Sequence, residues 1–122
     1  KERGFEVYEN WRESFVQLGK LQLIHGVFCT ATPAKTHLNR LKESVMFGHT
    51  HRLDTYYEGD KGAFNIGTMA DIDSEAFNYI SRIQRMSWKN AFGLVHLDDN
   101  GFYQADVVNC VNNHFWYGGK KY

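Results

Sequence analysis

The chain is organised around the stretch SVMFGHTHR, residues 44–52. Its apolar first half predicts a buried strand over 44–48, and Gly48 allows the backbone to bend where that strand ends. His49 and His51 follow, one residue apart. In an extended segment, residues i and i+2 point to the same side, so we expect the two imidazoles to face one point. The stretch therefore predicts a pair of metal ligands on a rigid strand end.

An earlier strand also ends in a histidine. Residues 20–25, KLQLIH, predict a strand that closes with His25. A threonine followed by a proline then marks a helix start, and we expect a helix over about 33–42. A strand, a helix and a strand in this order favour parallel pairing of the two strands. Because both strands would end at the same edge of the sheet, His25 would join His49 and His51 there.

Two further segments have the spacing of helices. Tyr8, Trp11, Phe15 and Leu18 recur every three or four residues, which predicts a helix within residues 1–19. The apolar residues between 77 and 83 are spaced in the same way, which favours a helix within residues 70–88.

The second half of the chain has the pattern of antiparallel strands. We expect one hairpin over 53–58 and 62–67, and a second over 91–98 and 102–111 that turns at an Asp-Asn-Gly sequence. The predicted fold is α/β of the mixed α+β kind, with a strand-helix-strand unit followed by an antiparallel meander. No linker divides the chain, so residues 1–122 are expected to form a single domain.

Composition excludes some classes of function. The 122 residues carry 14 basic and 14 acidic side chains, so no overall field attracts nucleic acid or an anionic membrane, and nucleic acid remains compatible only with a local basic patch. No apolar run approaches the ~20 residues of a membrane span. Cys29 and Cys110 lie in unrelated contexts, which predicts two thiols in a reducing cytoplasm.

Three imidazoles that converge at one edge could bind a divalent metal. Neutral imidazole suits Zn, Mn, Fe and Ni. The alternative is that the histidine pair is ordinary polar surface or part of a hydrogen-bonded turn. The glycine after His25, the glycine before His49 and the apolar strands favour the metal site over that alternative.

The sequence FGHTH at 47–51 resembles the Gly-His-x-His signature of the calcineurin-like metallophosphoesterases. Upstream, LIHG at 23–26 is similar to the strand-end histidine that precedes that signature. The resemblance covers roughly residues 18–117. It implies that the chain is the C-terminal half of an α/β/β/α metallophosphoesterase sandwich. It also implies hydrolysis of phosphate mono- or diesters at a two-metal centre of Mn, Fe, Zn or Ni.

The same resemblance assigns roles to individual residues. It implies that His25 and His49 bind one metal and that His51 binds the other. Arg52 follows the signature and could pair with the phosphate of the substrate. A surface ion pair is the alternative role for this arginine. His37 lies on the helix between the two motifs and is expected on its solvated face.

The chain departs from the family because the first half of the signature is missing. It has no Asp-x-His, no Gly-Asp-x-x-Asp and no Gly-Asn-His followed by an acidic residue. Three histidines without a carboxylate would leave the charge of two cations unneutralised, so we predict that the isolated chain is inactive. The chain begins without methionine, which suggests the C-terminal part of a longer enzyme. A degenerate relative that binds one metal or none is the alternative.

These expectations leave two functions open. The first is that the chain supplies the C-terminal ligands of a metal-dependent phosphoesterase and associates with its missing N-terminal half or with a second copy. The second is that the chain is a non-catalytic metal-binding or interaction subunit derived from the same fold.

Overall fold

The computed structural model describes Gly4 and residues 6–122. The strands are β1 Val16–Leu18, β2 Leu21–Leu23, β3 Ser44–Phe47, β4 Leu53–Glu58, β5 Lys61–Ile66, β6 Ala91–Leu97, β7 Tyr103–Asn109, β8 Trp116–Tyr117 and β9 Lys120–Lys121. The helices are α1 Pro33–Leu41 and α2 Arg82–Arg85, with a 3₁₀ turn at Glu75–Phe77.

Strands β1 to β5 form one mixed sheet in the order β1-β2-β3-β5-β4. The pairs β2–β3 and β3–β5 are parallel, whereas the hairpins β1–β2 and β4–β5 are antiparallel. The predicted strand-helix-strand unit with parallel strands is therefore confirmed, as is the predicted hairpin of β4 and β5. The protein is a mixed α/β fold with a mixed central sheet.

The central strands are covered on both faces, so the molecule has three layers. All four residues of β3 are buried, as expected for a parallel strand between two layers. Val45 and Phe47 pack with Ala34 and Leu38 of α1 on one face. Met46, between them, packs on the other face with Phe64 and with residues of the β6–β7 hairpin. The order of layers is helix, five-stranded sheet, two-stranded sheet.

The helix predicted before β1 is wrong for the residues that the structure describes, and residues 1–3 and 5 lie outside them. Residues 10–14 form only a turn, in which the amides of Glu13 and Ser14 donate to the carbonyl of Asn10. Residues 16–18 instead pair with β2 as β1. Gly19, with φ of 55°, belongs to the tight turn of this hairpin and does not end a helix. Sheet pairing therefore prevailed over helical spacing.

The helix favoured within residues 70–88 is present only as two short pieces. The segment contains the 3₁₀ turn and the four-residue α2, which begin at Ser74 and Ser81 caps. Ile83, expected on the buried face, is 81% exposed. The predicted meander is only partly correct, because β6–β7 and β8–β9 are separate two-stranded sheets and β5 pairs with β3. Among the described residues, no helix is long and apolar enough to cross a membrane.

The N-terminus of α1 is capped by a residue from another strand. Pro33 stands in the first turn as predicted, but the side chain of Thr32 makes no capping hydrogen bond. The amide of Ala34 donates instead to Oδ2 of Asp54 in β4, at 2.9 Å. This carboxylate satisfies a free helical amide and complements the positive end of the helix dipole. The contact fixes the helix against the edge strand of the sheet.

Replacing Asp54 with alanine should therefore destabilise the protein by about 1 kcal/mol, as for the loss of a side-chain helix cap. Urea unfolding followed by circular dichroism measures the change. Asp54→Asn retains an oxygen acceptor and should keep most of the stability. Glu58→Ala, at the exposed end of the same strand, is the control. Equal stabilities for Asp54→Ala and Glu58→Ala would contradict the capping role.

Candidate metal centre

The parallel pairing of β2 and β3 continues past the ends of both strands. The amide of Ile24 donates to the carbonyl of Met46 at 3.0 Å. The carbonyl of His25 then accepts from the amides of Gly48, at 3.2 Å, and His49, at 2.9 Å. These bonds place His25 and His49 side by side at the carboxyl edge of the sheet, as the sequence predicts.

Gly26 makes this close approach possible. It is buried and has φ of 98°, a conformation that L-residues with a side chain rarely adopt. A Cβ atom at this position would lie 2.9 Å from the ring of Phe47 and 3.0 Å from Cβ of His49. Any side chain here would therefore separate the two strand ends that carry the histidines.

The imidazoles of His25 and His49 meet directly. Nε2 of His25 lies 2.9 Å from Nδ1 of His49, and the rings are 62° apart. Two nitrogens that bind one ion at about 2.1 Å, at right angles, would be about 3.0 Å apart. Without an ion, the same spacing is that of a hydrogen bond in which one ring donates its N–H. The nitrogen–nitrogen distance is therefore compatible both with a shared ion and with a hydrogen bond between the two rings.

His51 lies close to this pair, but in a turn rather than in the extended segment that was predicted. Residues 48–51 form a turn in which the amide of His51 donates to the carbonyl of Gly48 at 3.1 Å. His51 has φ of 58°, so the segment is not extended and the i and i+2 argument is wrong here. The edge of Trp88 packs against the His51 ring, with the centroids 4.4 Å apart. Nδ1 of His51 is buried and has no hydrogen-bond partner.

Two of the three histidines, His49 and His51, have lowered pKa values. Burial lowers the pKa of His49 from its ordinary value of 6.5, and the positive charges of His25 and His51 lower it further. Burial, and then His25, lower the pKa of His51 in the same way. His49 and His51 therefore favour the neutral imidazole, which is the form that binds metal.

A buried hydrogen bond between Asn65 and Thr50 stabilises the turn at residues 48–51. Asn65 in β5 is fully buried, and its Nδ2 donates to Oγ1 of Thr50 at 2.6 Å. The same oxygen accepts from the amide of Arg52 at 3.3 Å. Thr50 stands between His49 and His51, so this pair fixes the backbone that carries both. The sequence analysis missed Asn65, although a polar residue within the apolar strand GAFNI was a usable signal.

His37 is a buried structural residue, and its predicted place on a solvated helix face is wrong. Its Nδ1–H donates to the carbonyl of Pro33 at 2.8 Å, which leaves Nε2 as an acceptor. The amides of Val27 and Phe28 donate to Nε2 at 3.1 and 3.3 Å. The ring also stacks on Phe47, with the centroids 3.8 Å apart. His37 therefore fixes the loop that follows His25.

Arg52 also holds this loop. One guanidinium N–H donates to the carbonyl of Thr30. Thr30 in turn is 2.8 Å from Thr36 of α1 through their hydroxyl oxygens. Arg52 therefore has a structural contact beside the histidines, and the remaining N–H groups of its guanidinium can still bind an anion.

The indole of Trp11 packs against the rings of both His25 and His49. The indole stacks on His49, with the centroids 5.8 Å apart, and meets His25 edge-on at 4.7 Å. This contact was not predicted, because the spacing of apolar residues placed Trp11 on a helix. The turn at residues 10–14 brings the indole there instead.

The described residues do not supply a complete metal centre. Over Gly4 and residues 6–122, no group of three or more His, Cys, Asp or Glu side chains is arranged to hold one ion. The predicted ligands are thus brought together as a close pair, His25 and His49, with His51 as a neighbour. Comparison with protein-family models, curated proteins and solved structures gives no match.

The role of His37 predicts an acid-sensitive stability. Burial lowers the pKa of His37 from 6.5, with the Pro33 carbonyl opposing this in part. The unfolded state then binds a proton at a higher pH than the folded state. Stability is therefore complete above about pH 6.5 and falls as the pH decreases through the folded pKa, and His49 and His51 contribute with the same sign.

His37→Leu should lower the free energy of unfolding at pH 7.5 by about 2–4 kcal/mol, because two backbone amides lose their acceptor. The variant should also lose less stability than the wild type between pH 7.5 and 5.5. Urea unfolding at both pH values measures the two effects. His114→Leu, at an exposed histidine, should change neither. An unchanged pH dependence in His37→Leu would contradict the assignment.

Proposed function

We propose that this chain supplies the C-terminal metal ligands of a metal-dependent phosphoesterase of the calcineurin-like type. The substrate class is a phosphate mono- or diester. His25 and His49 would bind one divalent ion and His51 a second, with Mn, Fe, Zn and Ni as the candidate metals.

The observation that carries this proposal is the contact between His25 and His49. They are 24 residues apart in sequence, yet their ring nitrogens are 2.9 Å apart at the ends of adjacent parallel strands. The carboxyl edge of a parallel sheet is where α/β proteins place their sites. A lowered pKa keeps His49 and His51 ready to bind metal at neutral pH.

The order of the layers is compatible with the same proposal. A helix covers one face of the mixed sheet and a β-hairpin covers the other, which corresponds to three of the four layers of an α/β/β/α sandwich. A fourth, helical layer would lie outside β6–β7. This finer description of the fold is part of the proposal.

Each residue of the site has a defined task under this proposal. His25, His49 and His51 hold the ions, while Asn65 and Thr50 hold the turn that positions the histidines. Arg52, next to this turn, would contact the phosphate oxygens with the N–H groups that Thr30 leaves free. Bound divalent ions would polarise the phosphoryl group and activate a water molecule.

The missing carboxylates lead to a proposed partner. No Asp, Glu or Cys joins the histidines among the described residues, and bridging two cations requires negative charge. We therefore propose that another polypeptide segment, either an N-terminal half or a second copy of the chain, completes the centre. The alternative is a non-catalytic metal-binding or interaction subunit, which the same absence of carboxylates favours.

Metal binding tests the site directly. We expect the isolated chain to bind Zn²⁺ or Mn²⁺, and the His49→Ala/His51→Ala variant to bind it about a hundredfold more weakly. Four-ligand zinc sites bind with about 10–16 kcal/mol, which is roughly 2.5–4 kcal/mol per ligand, and each of the two ions would lose one ligand in this variant. Equilibrium dialysis followed by elemental analysis measures the metal content.

The matched control is His96→Ala/His114→Ala, which removes two exposed histidines outside the site. It should bind metal as the wild type does. Unchanged metal content in the His49→Ala/His51→Ala variant would refute the assigned ligands.

Hydrolysis of bis-p-nitrophenyl phosphate with added Mn²⁺ tests the missing ligands. The isolated chain should show no turnover above the metal-only background, because three histidines do not neutralise two cations. Activity should appear when a segment that carries Asp-x-His and Gly-Asn-His is supplied. Robust Mn²⁺-dependent turnover by the chain alone would show that the ligand account is wrong.

A further inference from the structure

An apolar cleft adjoins the histidine pair. It has a volume of about 250 Å³. Its lining includes Tyr8, Trp11, Phe15, Leu23, Ile24 and His25, from the N-terminal segment and the end of β2, and Ser14 adds a hydroxyl group. His25 therefore belongs to both the candidate metal centre and this cleft.

Trp11 forms the shared wall between the two. Its indole contacts both imidazoles, edge-on at His25 and stacked at His49. The side chain is nevertheless 42% exposed, so part of it remains available to another group. A molecule held by its phosphate at the histidines would have its organic part next to this indole.

The lining of the cleft determines what that organic part can be. None of the lining side chains is an Asp, Glu, Lys or Arg, and the Tyr8 hydroxyl already donates to Glu6 at 2.9 Å. A charged group there would lose its hydration without gaining a partner. Aromatic walls favour a flat ring, which gains from stacking and edge-to-face contacts in addition to burial. Benzene fits in an apolar cavity of about 150 Å³, so this cleft has room for one or two fused rings.

We propose that this cleft is the subsite for the organic group of the phosphate ester, and that this group is an uncharged aromatic ring stacked on Trp11. The inference rests on the proposed phosphoesterase function, because the phosphate is placed by the histidine-bound metal. An aryl group and a nucleobase share the required chemistry.

The test compares phosphonates that differ only in the ring. Isothermal titration calorimetry of the Mn²⁺-loaded chain should give about tenfold tighter binding of phenylphosphonate than of methylphosphonate, from ring burial and stacking. Thymidine 5′-monophosphate and 2-deoxyribose 5-phosphate form a second pair, in which the base replaces the aryl group. Tighter binding of the ring-bearing ligand in the first pair only identifies an aryl ester as the substrate class. Tighter binding of the ligand with the base in the second pair identifies a nucleotide.

Variants at Trp11 test whether this side chain causes the tighter binding of phenylphosphonate. Trp11→Ala should bring the ratio of phenylphosphonate to methylphosphonate affinity close to one, and Trp11→Phe should restore most of it. Trp116→Ala, at a 66% exposed tryptophan in β8, should leave the ratio unchanged. Circular dichroism checks that each variant is folded. Equal affinities within both ligand pairs in the wild type, or binding of no ligand by a chain shown to hold Mn²⁺, would overturn the subsite.

A metal-free measurement separates this inference from the proposed function. In ¹⁵N-labelled chain without Mn²⁺, phenylphosphonate at high concentration should shift the Trp11 indole N–H resonance, whereas methylphosphonate should not. If Mn²⁺ does not bind but this shift occurs, the metal-dependent function fails and the aromatic subsite stands. If Mn²⁺ binds and the ring makes no difference in either experiment, the function stands and the subsite fails.

Discussion

The carbonyl group of His25 accepts two hydrogen bonds, and the candidate site depends on them. Both donors, the amides of Gly48 and His49, lie beyond the end of β3. A parallel ladder would otherwise stop at the last paired residues of β2 and β3. The carbonyl of His25 extends this ladder. His25 and His49, which are far apart in sequence, therefore meet with their ring nitrogens 2.9 Å apart. Gly26 is then required, since a Cβ atom there would strike Phe47 and His49.

Buried polar groups beneath this edge give the site its rigidity. A polar atom without water must find a partner within the protein, so a satisfied one fixes both of its neighbours. His37 does this for the loop after His25, and Asn65 does it for the turn that contains Thr50. Oδ1 of Asn65 and Nδ1 of His51 are buried without partners. A buried polar atom without a hydrogen-bond partner costs free energy.

The sequence predicted the fold well wherever a strand was apolar and its ends carried glycine or proline. β3, α1, the β4–β5 hairpin and the β6–β7 hairpin were all predicted within one or two residues of their ends. The prediction failed at residues 1–19 and was only partly correct at residues 70–88, where helical spacing was present. In the first, residues 16–18 gain more by pairing with β2. In the second, short caps and the contact of Trp88 with His51 hold an irregular segment.

The site was predicted in part, and for partly wrong reasons. His25 and His49 come together because parallel strands share an edge, which sequence order alone implies. His51 lies nearby through a left-handed turn, which the simple alternation of strand residues does not describe. His37, Asn65 and Trp11 were missed or misplaced because their roles depend on contacts between distant elements. A histidine between Lys35 and Arg40 is ordinarily exposed, and only the fold brings the amides of the preceding loop to its ring.

The two-stranded sheet of β6 and β7 has a consequence for how the chain behaves in solution. Within the described part of the chain, each of these seven-residue strands has one long edge without a strand partner. The free backbone groups of such an edge form hydrogen bonds readily with any extended segment, including the same edge of another molecule. An extended peptide segment could therefore add to β6 or to β7 as a third strand of this sheet.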